Sequence, residues 1–386
     1  MTAGPPPIVF SADDCRLDEF ITLVGQEVPA ADYPIADSTD TGAVVYDAAR
    51  VRPHVASGAA EAEIVKALSA GPGIVVIRHA VDRDIVDRAT TAFRRIIQDE
   101  RVAHGARGDH FGKPGANDRV WNALEKLAVE DPDTFVAYYS SDMIALGARA
   151  WLGPAYQITS QVNVVNPGGQ AQAPHRDYHL GFMTDEMAER YPRHVHRFSA
   201  ALTLQGALAH GDMPVESGPT KYLPHSHKYE PGYLAWRRPE FAEYFEQHYL
   251  QVPLAAGDLV YFNPALFHAA GSNMTADVRR MANLLQVNSA FGRTMESVDR
   301  ERMSLAIYPA LQRAHRLGMP DALLDNVIAA SAEGYAFPTN LDLDQPVDSL
   351  TPDSQADVVR RALSAGAGVD SLAADLTAHA ARRRTH

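Results

Sequence analysis

Residues 172–182 read QAPHRDYHLGF, and three arrangements with known chemistry overlap there. His175-Arg176-Asp177 is the tripeptide of a phosphoryl-transfer loop. His175 and His179, four apart, are half of a helical zinc site. His175 and Asp177, two apart, are the short arm of a metal site built from two histidines and one carboxylate. The first reading needs an Asn five residues after its Asp, and that place holds Phe182. The second needs a Glu after the first His on one helical face, but Arg176 stands there and Pro174 opposes a helix interior. The third is consistent with its neighbours. On a strand, residues two apart point to one face, so both side chains can reach one metal. It demands a second histidine from a late strand. GDLVYFNPALFHAAGSNMTADVRR supplies His268 between two strand-like runs.

The distal block makes the pattern specific. His268, Gly271, Asn273, Thr275 and Arg279 follow His-x-x-Gly-x-Asn-x-Thr/Ser-x-x-x-Arg. With ESGPTKYLPHSHK (216–228), GDLVYFNPALFH and the early GIVVIRHAVDRDIVDRA, the chain resembles the phytanoyl-CoA dioxygenase family of Fe(II)/2-oxoglutarate oxygenases over residues 70–293. The resemblance implies Fe(II) held by His175, Asp177 and His268, with 2-oxoglutarate and O2 taking the open positions. It implies that Arg279, eleven residues after His268, grips the distal carboxylate of 2-oxoglutarate through two parallel hydrogen bonds, while Arg280 faces away. Ala270 stands where the family often has a hydroxyl, so another donor must assist. In SQVNVV, Gln161 and Asn163 share one face and are expected to line the cosubstrate site. The Gly-rich stretch GDHFGKPGANDRVWN reads as a lid bringing His110, Phe111, Arg119 and Trp121 to the substrate.

The expected activity is hydroxylation of an unactivated C–H bond in a small molecule, releasing succinate and CO2. Desaturation, cyclisation and epimerisation by the same machinery are the alternatives, as is a non-catalytic jelly-roll binding protein. Halogenation is disfavoured because Asp177 fills the position a halide would take.

The elements that must position these residues are legible in outline. Residues 60–152 alternate helical patterns with one β-branched strand, IVVIR (74–78). From 156, YQITSQVNVVN, RFSAALTLQGALA (197–209), YLQVPL (249–254), GDLVYF (257–262) and RRMANLLQVNSAF (279–291) read as short strands between Gly/Pro/Asn loops. Their spacing and the resemblance predict a mainly β fold with flanking helices, a double-stranded β-helix of jelly-roll, cupin-like form. Residues 1–60 are expected as an N-terminal extension, 61–295 as the oxygenase domain, and 296–386 as a helical extension and tail.

With 386 residues, 46% apolar and 22% charged, the chain has a globular composition. A net charge of -13 argues against nucleic-acid or anionic-membrane partners. The single cysteine, Cys15, and the absence of an apolar leader or span lead to the expectation of a cytoplasmic protein acting on a small molecule.

Overall fold

The computed structural model describes residues 8–104, 117–347 and 349–385. Among these residues ten strands lie in two sheets: β1 (Val44–Asp47), β2 (Ile74–Arg78), β3 (Asn117–Val120), β4 (Gln157–Val165), β5 (Thr203–Ala209), β6 (Lys221–Leu223), β7 (Leu250–Gln251), β8 (Leu259–Phe262), β9 (Phe267–Ala269) and β10 (Arg280–Asn288). The major sheet runs β1-β2-β8-β5-β10-β4-β3, antiparallel except for β1 beside β2. The minor sheet runs β7-β6-β9, and an isolated bridge adds His175 to it opposite His268.

Strand alternation assigns each face of the major sheet. Val75, Ile77, Leu259, Tyr261, Leu204, Leu208 and Leu285 enter a core shared with the helices. Their neighbours Val76, Val260, Phe262 and Ala207 enter a second core between the sheets. A strand buried on both faces needs an almost unbroken apolar run, which is what IVVIR and LVYF are. Helices of residues 59–152 and 300–376 cover the outer face of the major sheet. At one close approach, Tyr261 slides between sheet and helix to donate to Ile144 O at 2.8 Å. Glycines at 147 and 206 make that room, since a Cβ at either would lie 2.4 or 2.7 Å from the ring. Outside the minor sheet, Phe267 and Leu223 pack with Phe20, Phe241 and Phe245 of two further helices.

Three expectations change. Helices hold 46% of the chain and strands 15%, so "mainly β" gives way to a large mixed sheet with flanking helices. The run 197–209 is not one strand: Arg193–Ala201 is a helix burying His196 and Ser199, three apart, and β5 starts at Thr203. Strand β3, which falls in the stretch read as a lid loop, pairs along β4 from Asn117↔Val165 to Val120↔Val162. The segment before residue 60 supplies β1 and the helix Leu17–Val24. Among the described residues no helix is long and apolar enough to cross a membrane.

Candidate active site

Each member of the His-Asp-His set arrives from backbone held on the minor-sheet side. His175 and His268 exchange backbone hydrogen bonds, His175 N to His268 O at 2.9 Å and His268 N to His175 O at 3.1 Å. Asp177 N donates to Pro264 O at 3.3 Å. The intervening Arg176 points the other way. It is buried, donates to Ser226 O and Tyr229 O, and lies over the Tyr233 and Phe267 rings. Burial pulls its pKa down to about 10. The middle residue of His-Arg-Asp is thus a peg that fixes the two residues beside it, a role the sequence gave no sign of.

Both imidazoles have a defined tautomer. Nδ1 of His175 lies 2.9 Å from Ala173 O, and Nδ1 of His268 lies 2.9 Å from Leu266 O. A carbonyl only accepts, so each Nδ1 carries the proton and each Nε2 presents a lone pair. His175 Nε2 is 3.7 Å from Asp177 Oδ1, and His268 Nε2 is 3.4 Å from Asp177 Oδ2. One ligand atom from each residue lies within 4.8 Å of the others. Burial pushes the Asp177 carboxyl upward. The polar groups around it, His268 and His175 and the donating Gln205 amide, outweigh that and hold it below the usual carboxylate range. Burial, aided by His268, lowers the His175 pKa. Two neutral imidazoles and a carboxylate are a donor set that suits a divalent first-row metal.

These groups open into a cavity of about 290 Å³ between the sheets. Its floor is set by register. On β10, Arg280, Ala282, Leu284 and Gln286 line it, while Met281 and Leu285 face the helices. Here the sequence reading is corrected. Arg280 faces the cavity, and Arg279 opens onto outer clefts beside Arg101. Cross-strand pairing is the reason: Arg280 sits opposite Val165, in phase with Ala282 opposite Asn163 and Leu284 opposite Gln161. Arg280 is 8% exposed, and its Nη1 has no hydrogen-bond partner among the described residues. Burial lowers its pKa to about 10, partly offset by nearby Tyr222.

Gln161 and Asn163 line the cavity. Asn163 Oδ1 is buried without a partner among the described residues. Arg119 also lines it, as a β3 residue opposite Asn163 whose Nη1 donates to Gln161 Oε1 at 2.9 Å and whose guanidinium lies 5.1 Å from the Trp121 ring. Trp121 and Phe182, 41% and 63% exposed, stand at the mouth. His110 and Phe111 lie outside the described residues. Near Ala270, whose N–H is taken by Gln172 Oε1 at 3.2 Å, the cavity wall carries Thr220 and Tyr222. Sequence reasoning missed Gln205 and Gln286, which face the cavity from neighbouring strands. The available signal was an amide in phase with inward-facing apolar residues, in LTLQGALA and NLLQVN.

A convergent His-Asp-His set beside a buried guanidinium whose Nη1 has no partner among the described residues, in a two-sheet cavity, has the features of an iron- and 2-oxoglutarate-dependent oxygenase. The family model for phytanoyl-CoA dioxygenase matches residues 70–281, more than half of the chain. The chain belongs to that family and is an Fe(II)/2-oxoglutarate-dependent oxidoreductase. No curated protein matches it significantly. Similar solved structures include the non-haem α-ketoglutarate-dependent epimerase SnoN from nogalamycin biosynthesis, 23% identical with a TM-score of 0.42, covering 60% of this chain and 84% of that one. The carbocyclase SnoK from the same biosynthesis is 21% identical with a TM-score of 0.41, covering 57% and 80%. AviO1 from Streptomyces viridochromogenes is 18% identical with a TM-score of 0.42, covering 57% and 92%.

Proposed function

We propose that His175, Asp177 and His268 hold Fe(II), that Arg280 anchors 2-oxoglutarate, and that the protein hydroxylates a C–H bond of a small molecule seated under Trp121 and Phe182. The observation that carries this is Arg280. A buried guanidinium whose Nη1 has no partner among the described residues is costly unless an anion meets it, and it lines the same cavity as the three converging ligand atoms. A dicarboxylate with one end at the metal and the other at Arg280 would satisfy both. The bound iron and cosubstrate would supply the oxidising power that removes hydrogen from carbon, with succinate and CO2 released.

The chain's own part is positioning. Ala173 O and Leu266 O orient the two imidazoles. Asn163, Thr220 and Tyr222 are the polar groups that would stand in for the hydroxyl missing at Ala270. Apolar Leu254, Val260, Leu284 and Phe262 line the same cavity. The carboxylate of Asp177 occupies the place a halide would need, which favours oxygen transfer over halogenation. Among the described residues, the Arg and Lys side chains lining the cavity are Arg119 and Arg280, too sparse a set for the phosphates of an acyl-CoA. A small, weakly charged substrate fits that lining better.

The test is succinate formation from 2-oxoglutarate with added Fe(II) under air. Turnover is expected in the parent protein and loss of it in Asp177→Ala and His268→Ala. Equal succinate from parent and Asp177→Ala would overturn the assignment.

A further inference from the structure

Gln205 sits in the middle of β5, between β8 and β10, opposite Phe262 on one side and Gln286 on the other. Its backbone is therefore fixed from both sides, and its side chain is buried at the cavity wall. Its Nε2 donates to Asp177 Oδ2. The amide orientation follows from chemistry: an ionised carboxylate only accepts, so the nitrogen must face it. The other end, Oε1, is buried and has no partner among the described residues. Gln286 is locked differently. Its Oε1 accepts from the Tyr178 hydroxyl, and no hydrogen bond joins it to Asp177 among the described residues.

Asp177 is thus approached from two directions. His175 Nε2 faces its Oδ1, while Oδ2 lies between His268 Nε2 and the Gln205 amide. A carboxylate free to rotate can offer a metal one oxygen or both, and a donor on one oxygen removes that freedom. Building on the metal-site reading above, we propose that Gln205 is a positioning residue: it holds Oδ2 of Asp177 so that the carboxylate meets iron through Oδ1 alone and leaves three positions open for cosubstrate and oxygen. The contact reaches across the cavity from the major sheet to the loop carrying Asp177, so it also ties the metal side of the site to the sheet bearing Arg280.

The experiment is an anaerobic Fe(II) titration of the full chain, followed by addition of 2-oxoglutarate and recording of the visible charge-transfer band of the resulting complex. Gln205→Leu removes the donor at similar size, and Gln205→Met does so with a more adaptable side chain should the first variant fold poorly. Both are expected to bind Fe(II) about 10- to 100-fold more weakly, the usual loss when a hydrogen bond to a metal ligand is removed. Their charge-transfer band should shift, and the melting temperature of the metal-free protein should hold. A folded Gln205→Leu or Gln205→Met with Fe(II) affinity within about twofold of the parent and an unshifted band would overturn the proposal. A fall in metal-free melting temperature alone would do the same, since it would make Gln205 merely structural. Asp177→Ala separates the two levels. If it binds Fe(II) as the parent does, the metal site itself is misassigned; if it loses Fe(II) while the Gln205 variants keep it, only the positioning role falls.

Discussion

Arg280 and Arg279 are adjacent and chemically identical, yet only Arg280 faces the cavity. Register decides between them, and Asn273 helps to set it. Its Nδ2 donates to Val165 O at 3.0 Å and Val278 O at 2.8 Å, stapling the end of β4 to the residues that lead into β10. Thr275 Oγ1 donates to Asn273 Oδ1 at 2.6 Å and holds that amide in place. Arg280→Ala is expected to raise the 2-oxoglutarate requirement by an amount equivalent to about 2–5 kcal/mol, typical for one partner of a desolvated charge pair. Fe(II) affinity should change little. Arg279→Ala, at an exposed site, should leave the 2-oxoglutarate KM near the parent value. Succinate assays across a 2-oxoglutarate series measure both, and a larger loss in Arg279→Ala would mean that β10 is out of phase by one residue. The sequence spacing favoured Arg279, because a count from His268 carries no information about which residue pairs with Val165. His175, Asp177 and His268 were legible because their residue types and order already specify a ligand set.

The segment from His175 to Phe182 carries two residues with positive φ, Tyr178 at 62° and His179 at 39°. Non-glycine residues adopt that region at a cost of order 1–3 kcal/mol, and such strain gathers where function requires a fixed shape. Here it follows directly after Asp177 and turns the chain back so that Gly181 meets Arg176. A Cβ at 181 would lie 2.0 Å from Arg176 O, a backbone atom that cannot swing aside. Gly181→Ala is expected to destabilise the fold by about 1–3 kcal/mol, as overpacking does. It should also weaken Fe(II) binding by displacing the Arg176–Asp177 peptide. Thermal melting with and without Fe(II) measures both, and a variant with parental stability would show that the turn tolerates a side chain. Elements of this kind escape a sequence reading. β4, β8 and β10 are long or apolar enough to show their character. β6 and β9 are three residues long, too short for any period to register, and His175 joins a sheet through a single bridge.

Across the whole molecule, the helices outside the major sheet share one core with residues from 33 to 376, so the regions before 60 and after 295 pack as part of the same body. Composition showed those regions as helical or unreadable; that they share a core depends on contacts between distant parts of the chain. His210 lies where this helix layer meets the sheet. Thr90 Oγ1 donates to Val86 O at 2.7 Å, so toward His210 Nδ1, 2.8 Å away, it accepts, and Nδ1 bears the proton. Nε2 then accepts from the Tyr138 hydroxyl at 2.8 Å, and Tyr138 accepts from Asn283 Nδ2 at 3.2 Å. Every polar atom of the neutral ring is used, and a second ring proton would confront the Tyr138 hydroxyl hydrogen. Burial, reinforced by Arg94 and opposed by Asp87, lowers the His210 pKa to about 3. A depressed histidine pKa makes no difference above the unfolded value of about 6.5, where both states are neutral. Below it the unfolded chain takes up a proton that the folded chain refuses, so stability falls with pH until the folded pKa is reached. The slope is about 1.4 kcal/mol per pH unit for each such group. His225 and His227, at about 4 and 3 chiefly through burial, add to it. Urea unfolding at pH 7, 6, 5 and 4 should therefore show stability declining below about pH 6.5. His210→Gln, less stable at pH 7, should lose about 1.4 kcal/mol less per pH unit than the parent below pH 6. Parallel curves for the two proteins would mean that His210 takes up its proton in the folded state near the usual pH, and that the Asn283–Tyr138–His210–Thr90 chain does not hold it neutral.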